Sequence, residues 1–210
     1  MKIVFISDTH GDHKEIKNIP ACDVIVHAGD ISALGSQQTI EYFLEWFSSL
    51  EQAKNKIFVA GNHDWLFQRN PPLAKSIIPS NVIYLQDSGC EIDGVKFWGT
   101  PVQLPFFNWA FNIPADEIIK YWDMIPADTD VLITHSPPKG IMDISRRGRE
   151  HTGSQSLYDQ IVTRIKPKIH CFGHIHEGYG IQVVEDITFI NASNLNEDYA
   201  VANPPILIEI

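Results

Sequence analysis

Asp8, His10, Asp30, Asn62, His63, His135, His174 and His176 are the side chains whose types and spacing could do chemistry together. Each offers an oxygen or an imidazole nitrogen, and each stands just after a short apolar run. Asp8-Thr9-His10 follows residues 2–7, Gly29-Asp30 follows residues 23–27, and Gly61-Asn62-His63-Asp64 follows residues 57–60. His135 ends the run 131–134, and Gly173-His174-Ile175-His176 ends the run 168–172. A set with no thiolate suits Mn²⁺ first, or Fe or Zn²⁺, and suits soft metals poorly.

The number of donors sets the number of ions. Asp8, His10, Asp30, Asn62, His135, His174 and His176 are more ligands than one ion with an open catalytic position can use. Two divalent transition-metal ions roughly 3.5–4 Å apart, sharing a carboxylate and a solvent-derived hydroxide, would engage all of them. Two such cations, two aspartates and one hydroxide leave a net charge of about +1, which attracts a phosphate. The expected chemistry is hydrolysis of a phosphate ester by in-line attack of the metal-bridging hydroxide. Singly the motifs are weak, since Asp-Xaa-His can simply cap a turn. Alternation in an extended segment would put the imidazoles of His174 and His176 on one side.

Such a site needs parallel strands whose carboxyl ends share one rim. The first three apolar runs read as buried strands, and residues 38–51 place Ile40, Phe43, Leu44, Phe47 and Leu50 at helical spacing. That succession implies parallel strands with helices packed on the sheet. Residues 82–85, 90–92 and 95–98 read as short strands, the last two joined by a turn at Asp93-Gly94. Residues 180–184, 188–191 and 206–210 read as closing strands. Ser154 is placed to cap a helix running to about Ile165 and stopped by Pro167. The aromatic group Phe106, Phe107, Trp109 and Phe111 fits either a lid on which a nucleotide base stacks or a plug over the sheet edge. Arg146, Arg147, Arg149 and His151 fit either a phosphate clamp or a solvated loop.

Bulk composition sets outer bounds. The 210 residues read as a single domain, 1–210, and 44% hydrophobic content supplies a sizeable core. A formal net charge of −10 argues against a duplex nucleic acid partner, though not against a small anionic substrate beside metal ions. Cys22, Cys90 and Cys171 are too far apart to suggest a disulfide framework or a thiolate zinc site. The N-terminal run meets Asp8 too soon for a signal peptide, and no apolar run approaches the roughly 20 residues that span a bilayer. The expected compartment is the cytoplasm, with no membrane partner.

Together these motifs resemble the calcineurin-like metallophosphoesterase superfamily. Within it the chain is most similar to the branch of metallophosphoesterase-domain-containing (MPPED) proteins. That narrower likeness rests on His27-Ala28-Gly29-Asp30, Phe107-Asn108-Trp109-Ala110-Phe111-Asn112, Thr134-His135-Ser136-Pro137-Pro138 and the segment His174 to Gly180. The resemblance implies a four-layer α/β/β/α sandwich of two mixed sheets, with a dinuclear site at the carboxyl ends of the strands. It implies that Asp8, His10 and His176 hold one ion, that Asn62, His135 and His174 hold the other, and that Asp30 bridges. His63 would contact the scissile phosphate, steered by a hydrogen bond to Asp64. The protein Ser/Thr phosphatases of the superfamily carry arginines shortly after the bridging aspartate, whereas Ile31 to Ser36 has none. A small phosphodiester or nucleotide, cyclic nucleotides included, is therefore the expected substrate. The alternatives are a phosphomonoesterase or nucleotidase, and a weakly active nucleotide-binding scaffold protein.

Overall fold

The computed structural model describes residues 1–146 and 150–210. Its strands are β1 (Lys2–Ile6), β2 (Cys22–His27), β3 (Ala53–Phe58), β4 (Ile83–Tyr84), β5 (Ser88–Ile92), β6 (Val95–Thr100), β7 (Val131–Thr134), β8 (Ile169–Phe172), β9 (Gly180–Val184), β10 (Ile187–Asn191) and β11 (Ile206–Glu209). The helices are α1 (Gln37–Ser48), α2 (Trp65–Arg69), α3 (Pro71–Ser76), α4 (Ile119–Asp123) and α5 (Gln155–Gln160). One sheet runs β11-β1-β2-β3-β4 and the other β5-β6-β7-β8-β10-β9. Both are mixed. β1 to β4 are parallel with β11 antiparallel to β1, and β6, β7, β8 and β10 are parallel, flanked by antiparallel β5 and β9.

Side-chain alternation builds the layers. In β1, Ile3 and Phe5 enter the core between the sheets, where they meet Phe97, Val131, Ile133 and Ile169. Val4 and Ile6 point the other way, onto Ile40, Phe43, Leu44 and Phe47 of α1. The second sheet repeats the device. Val131 and Ile133 face inward, while Leu132 packs outward with Trp122, Leu157, Ile161 and Ile165. Strands buried on both faces carry apolar residues at nearly every position, which is why these runs stand out in the sequence. The result is the expected four-layer α/β/β/α sandwich. Among the described residues no helix is long and apolar enough to cross a membrane.

The helices α2, α3 and α4 were not expected from the sequence, and two further elements differ from its reading. β3 begins at Ala53, earlier than expected, because Lys54, Asn55 and Lys56 hide the strand from a hydrophobic pattern. Backbone pairing with β2 and the Lys54–Asp23 ion pair hold that stretch extended. Ser154 does cap α5, accepting from Leu157 N–H, but residues Ile161–Ile165 continue it as a π-helical turn. That turn ends in left-handed Lys166 (φ 48°), just before Pro167.

Candidate metal centre

The two sheets are drawn together at the carboxyl ends of their parallel strands. Ser7 pairs with Ser193 across them, Asn194 N–H donates to Ser7 O at 2.8 Å, and Ser7 N–H donates to Asn194 Oδ1. Every sequence-predicted metal ligand lies at this junction.

The donors fall into two groups that meet at one carboxylate. One atom each from Asp8, His10 and His176 lie within 4.8 Å of one another, and so do atoms of Asp30, His135 and His174. Asp30 Oδ2 stands 3.7 Å from His10 Nε2 and 3.4 Å from His135 Nε2, so it touches both groups. Its other oxygen is tied down, accepting from His63 N–H at 2.8 Å. Asn62 Oδ1 lies 2.9 Å from His135 Nε2. His63 also comes close to His10 and Asp30.

The backbone works to deliver these side chains. Asp8 (φ 51°), His10 (φ 45°), Asp30 (φ 55°) and His174 (φ 68°) all adopt left-handed conformations. These cost about 1 kcal/mol or more each and persist where surrounding structure enforces them. The enforcement is visible: Asp8 N–H donates to Gly29 O, His10 N–H to Asp30 O, and His174 N–H to the Asp8 carboxylate. Gly61 and Gly173 are required for close approach. A Cβ there would lie 2.2 Å from Asp30 Oδ1 and 2.0 Å from Asp8 Oδ2. The shared side that alternation predicted for His174 and His176 is not observed. His174 is left-handed and His176 opens a 3-10 turn, so the two imidazoles diverge into different donor groups.

Hydrogen bonding shows that cations fit this cluster. His135 Nδ1–H donates to Ala28 O at 3.0 Å and His176 Nδ1–H donates to Asn196 O at 2.9 Å. In the neutral imidazoles Nε2 is then a bare lone pair. His135 Nε2 faces Asn62 Oδ1 and Asp30 Oδ2, and His176 Nε2 faces His10 Nε2 and Asp8 Oδ1. Lone pairs turned toward carboxylate and amide oxygens suit a shared positive charge, and backbone carbonyls fixing the distal nitrogen are the usual support of a ligating histidine. Without an ion, a proton takes the place of the cation. Burial opposes charge on His135 and His176, but Asp30 and Asp8 respectively raise each to about 9. Burial drives His10 down to about 4 and His174 down to about 3. Asp8 and Asp30 stay below the usual carboxylate range despite burial, held there by His176 and His135 respectively.

His63 and Asp64 part company. His63 Nδ1–H donates to Ala33 O at 2.6 Å, and its ring stacks on Trp109 at 4.0 Å. The expected hydrogen bond from His63 to Asp64 is absent. The buried Asp64 carboxylate instead accepts from Ile31 N–H, Ser32 N–H, Ser32 Oγ–H and Gly61 N–H. Burial, followed by the Asp30 charge, raises its pKa to about 6. Asp64 therefore staples the loop that carries Asp30 to the loop that carries Asn62.

A cleft of about 370 Å³ opens over the donors, with His10, His63, His174, Phe106, Glu177 and Glu197 on its walls. The aromatic segment is split between the interior and the cleft. Phe111 is buried and Trp109 supports His63, whereas Phe106 stands at the cleft edge-on to His174 and Phe107 is 81% exposed. Of the basic cluster, Arg146 pairs with Glu197 and His151 with buried Asp143; Arg147 and Arg149 lie outside the described residues.

Sequence reasoning missed Ser193, whose hydroxyl donates to Asp8 Oδ2 at 2.8 Å, and Asn194. The signal was present as the buried polar residues Asn191, Ser193 and Asn194 at the end of a core strand. Trp109 and Asn196 act through ring stacking and a backbone carbonyl, which no residue pattern announces.

The profile of the family described as calcineurin-like phosphoesterase matches residues 1–178. Metallophosphoesterase domain-containing protein 1 of Homo sapiens and that of Mus musculus are each 35% identical over 232 residues, covering 100% of this chain and 71% of theirs. Among solved structures, a putative 5′-nucleotidase from Staphylococcus aureus, in complex with alpha-ketoglutarate, superposes with a TM-score of 0.55 at 12% identity. That match covers 99% of this chain and 54% of the other, and it is a likeness of fold. With relatives aligned along its whole length and the family profile spanning most of it, the chain belongs to the calcineurin-like phosphoesterases, a family of metal-dependent hydrolases.

Proposed function

We propose that the chain hydrolyses small phosphodiesters, cyclic nucleotides among them, at a dinuclear metal centre. The observation that supports this most is Asp30, with one oxygen anchored to backbone and the other within 3.7 Å of imidazoles from both donor groups. In this reading Asp8, His10 and His176 hold one ion, Asn62, His135 and His174 the second, and Asp30 both. Mn²⁺ is the first candidate, with Fe and Zn²⁺ behind it. Bound ions would generate the nucleophile from water and draw off charge developing on the phosphate.

The rest falls to side chains of the protein. His63 is the acid or phosphate contact, because its Nδ1–H is fixed by Ala33 O and Nε2 is left to exchange a proton with the leaving oxygen. Trp109 holds that ring flat, and Asp64 keeps the Asp30 and Asn62 loops in register. A cleft of about 370 Å³ suits a small ester. Diesters are favoured because no arginine follows Asp30 and because Arg146 is already engaged by Glu197. The test is metal-reconstituted protein assayed on matched mono- and diesters, including cyclic nucleotides. The diester should be cleaved faster. A monoester advantage of about tenfold, roughly 1.4 kcal/mol of transition-state preference, would replace this reading with a phosphomonoesterase.

A further inference from the structure

We propose that Glu177, Arg146 and Glu197 form a charge filter at the mouth of the cleft, which lessens the advantage that the metal centre gives dianionic monoesters over monoanionic phosphodiesters. The proposal rests on the phosphoesterase reading above and names what sets its substrate class.

Glu177 and Glu197 line the same cleft as the proposed ligands His10, His174 and His176. They arrive from separate places, Glu177 in the 3-10 turn after β8 and Glu197 between β10 and β11. Arg146 stands between them. Its backbone N–H donates to Glu177 Oε1 at 3.0 Å, and its guanidinium pairs with the Glu197 carboxylate. Among the described residues, two carboxylates and one guanidinium leave this rim one net negative charge.

That sign is opposite to the one a site built only to attract phosphate would carry. The metal centre already draws any phosphate, and draws a dianion more strongly than a monoanion. A negative rim subtracts in the same proportion, because Coulomb energy scales with the charge of the ligand. A phosphodiester carries one negative charge, whereas a monoester carries about 1.5 to 2 at neutral pH. Low-dielectric cleft walls focus such fields. The same filter acts on the reaction itself. Cleaving a diester yields a monoester dianion, which the rim helps to expel.

The test uses full-length, metal-reconstituted protein as wild type, Glu197→Gln, Glu177→Gln and Arg146→Gln. Calorimetry at pH 8 measures Kd for two probes, inorganic phosphate as a dianion and dimethyl phosphate as a monoanion, with metal content assayed alongside. Glu197→Gln and Glu177→Gln should tighten phosphate by about three- to tenfold and dimethyl phosphate by less. Arg146→Gln should weaken phosphate by a similar factor. All the shifts should shrink between about 0.05 and about 0.5 M salt. The opposite signs separate charge from structure, since a loop disrupted by losing the Arg146–Glu197 pair would move both variants the same way. Same-sign shifts, or phosphate affinities within twofold of wild type with metal retained, would overturn the filter. If the signed shifts hold while wild type prefers monoesters, the filter stands and the diester reading falls.

Discussion

The His63 imidazole lies on the Trp109 indole, ring centroids 4.0 Å apart and planes 27° apart, while its Nδ1–H is held by Ala33 O. Two unrelated restraints thus orient one ring at the cleft. His63→Ala should keep both ions and lose kcat by roughly 10²–10⁴-fold if His63 supplies a proton. The loss should be largest for alkoxide leaving groups and smallest for nitrophenolate, which departs unprotonated. Trp109→Leu should lower kcat by less, with the same dependence on leaving group. Kinetics across diesters of graded leaving-group pKa, beside metal analysis, check both. A lost ion in His63→Ala would make His63 a ligand.

Elemental analysis of reconstituted protein should find about two ions per chain. Asp30→Ala should lose more metal than His10→Ala, because Asp30 Oδ2 approaches both His10 and His135. Equal losses in the two variants would remove the bridging role.

Asp64→Asn should destabilise the fold by about 1–3 kcal/mol, since an amide cannot accept all four of the bonds that Asp64 receives. Denaturant unfolding of the metal-free protein is the measurement. Wild-type stability in the variant, with activity reduced, would return Asp64 to the steering role that its sequence position suggested.

Acid should weaken the fold through His170, which lies away from the proposed ligands. Thr134 Oγ–H donates to Ser136 O, so His170 Nε2–H must donate to Thr134 Oγ1, and Nδ1 is left buried without a partner among the described residues. Burial lowers the pKa of His170 to about 3. The unfolded chain binds a proton there near pH 6.5 and the native state does not, so the penalty is zero above that pH and grows as pH falls toward the native value. Between pH 6.5 and 5 this amounts to about 2 kcal/mol. His170→Gln, which keeps a donor for Thr134, should flatten the loss of stability over that window. An unchanged slope would place the acid sensitivity elsewhere.

The parallel core strands, and the polar residues that follow them, were legible because strands buried on both faces interrupt their own apolar pattern only where they end. Asp8, Asp30 and His135 each break such a run, and the break is itself the signal. Asp64 was misread because its partners, Ile31 and Ser32, lie some thirty residues away across a loop. His174 and His176 were expected on one side from strand alternation, yet a left-handed residue and a 3-10 turn send them into different donor groups. Local periodicity cannot anticipate a backbone bent by contacts from another sheet.

The left-handed backbone shared by Asp8, His10, Asp30 and His174 makes loss of activity the thermodynamically easy direction for this chain. Glycine at His10 or His174 would relax the backbone and discard a donor in one step. A library selected for heat resistance alone, without substrate, should drift toward such replacements and retain the sandwich. His174→Gly should accordingly melt above wild type in chelator but gain less from added Mn²⁺. If His174→Gly melts below wild type in chelator, the bent backbone is not held at a cost, and drift away from catalysis would have no such slope to follow.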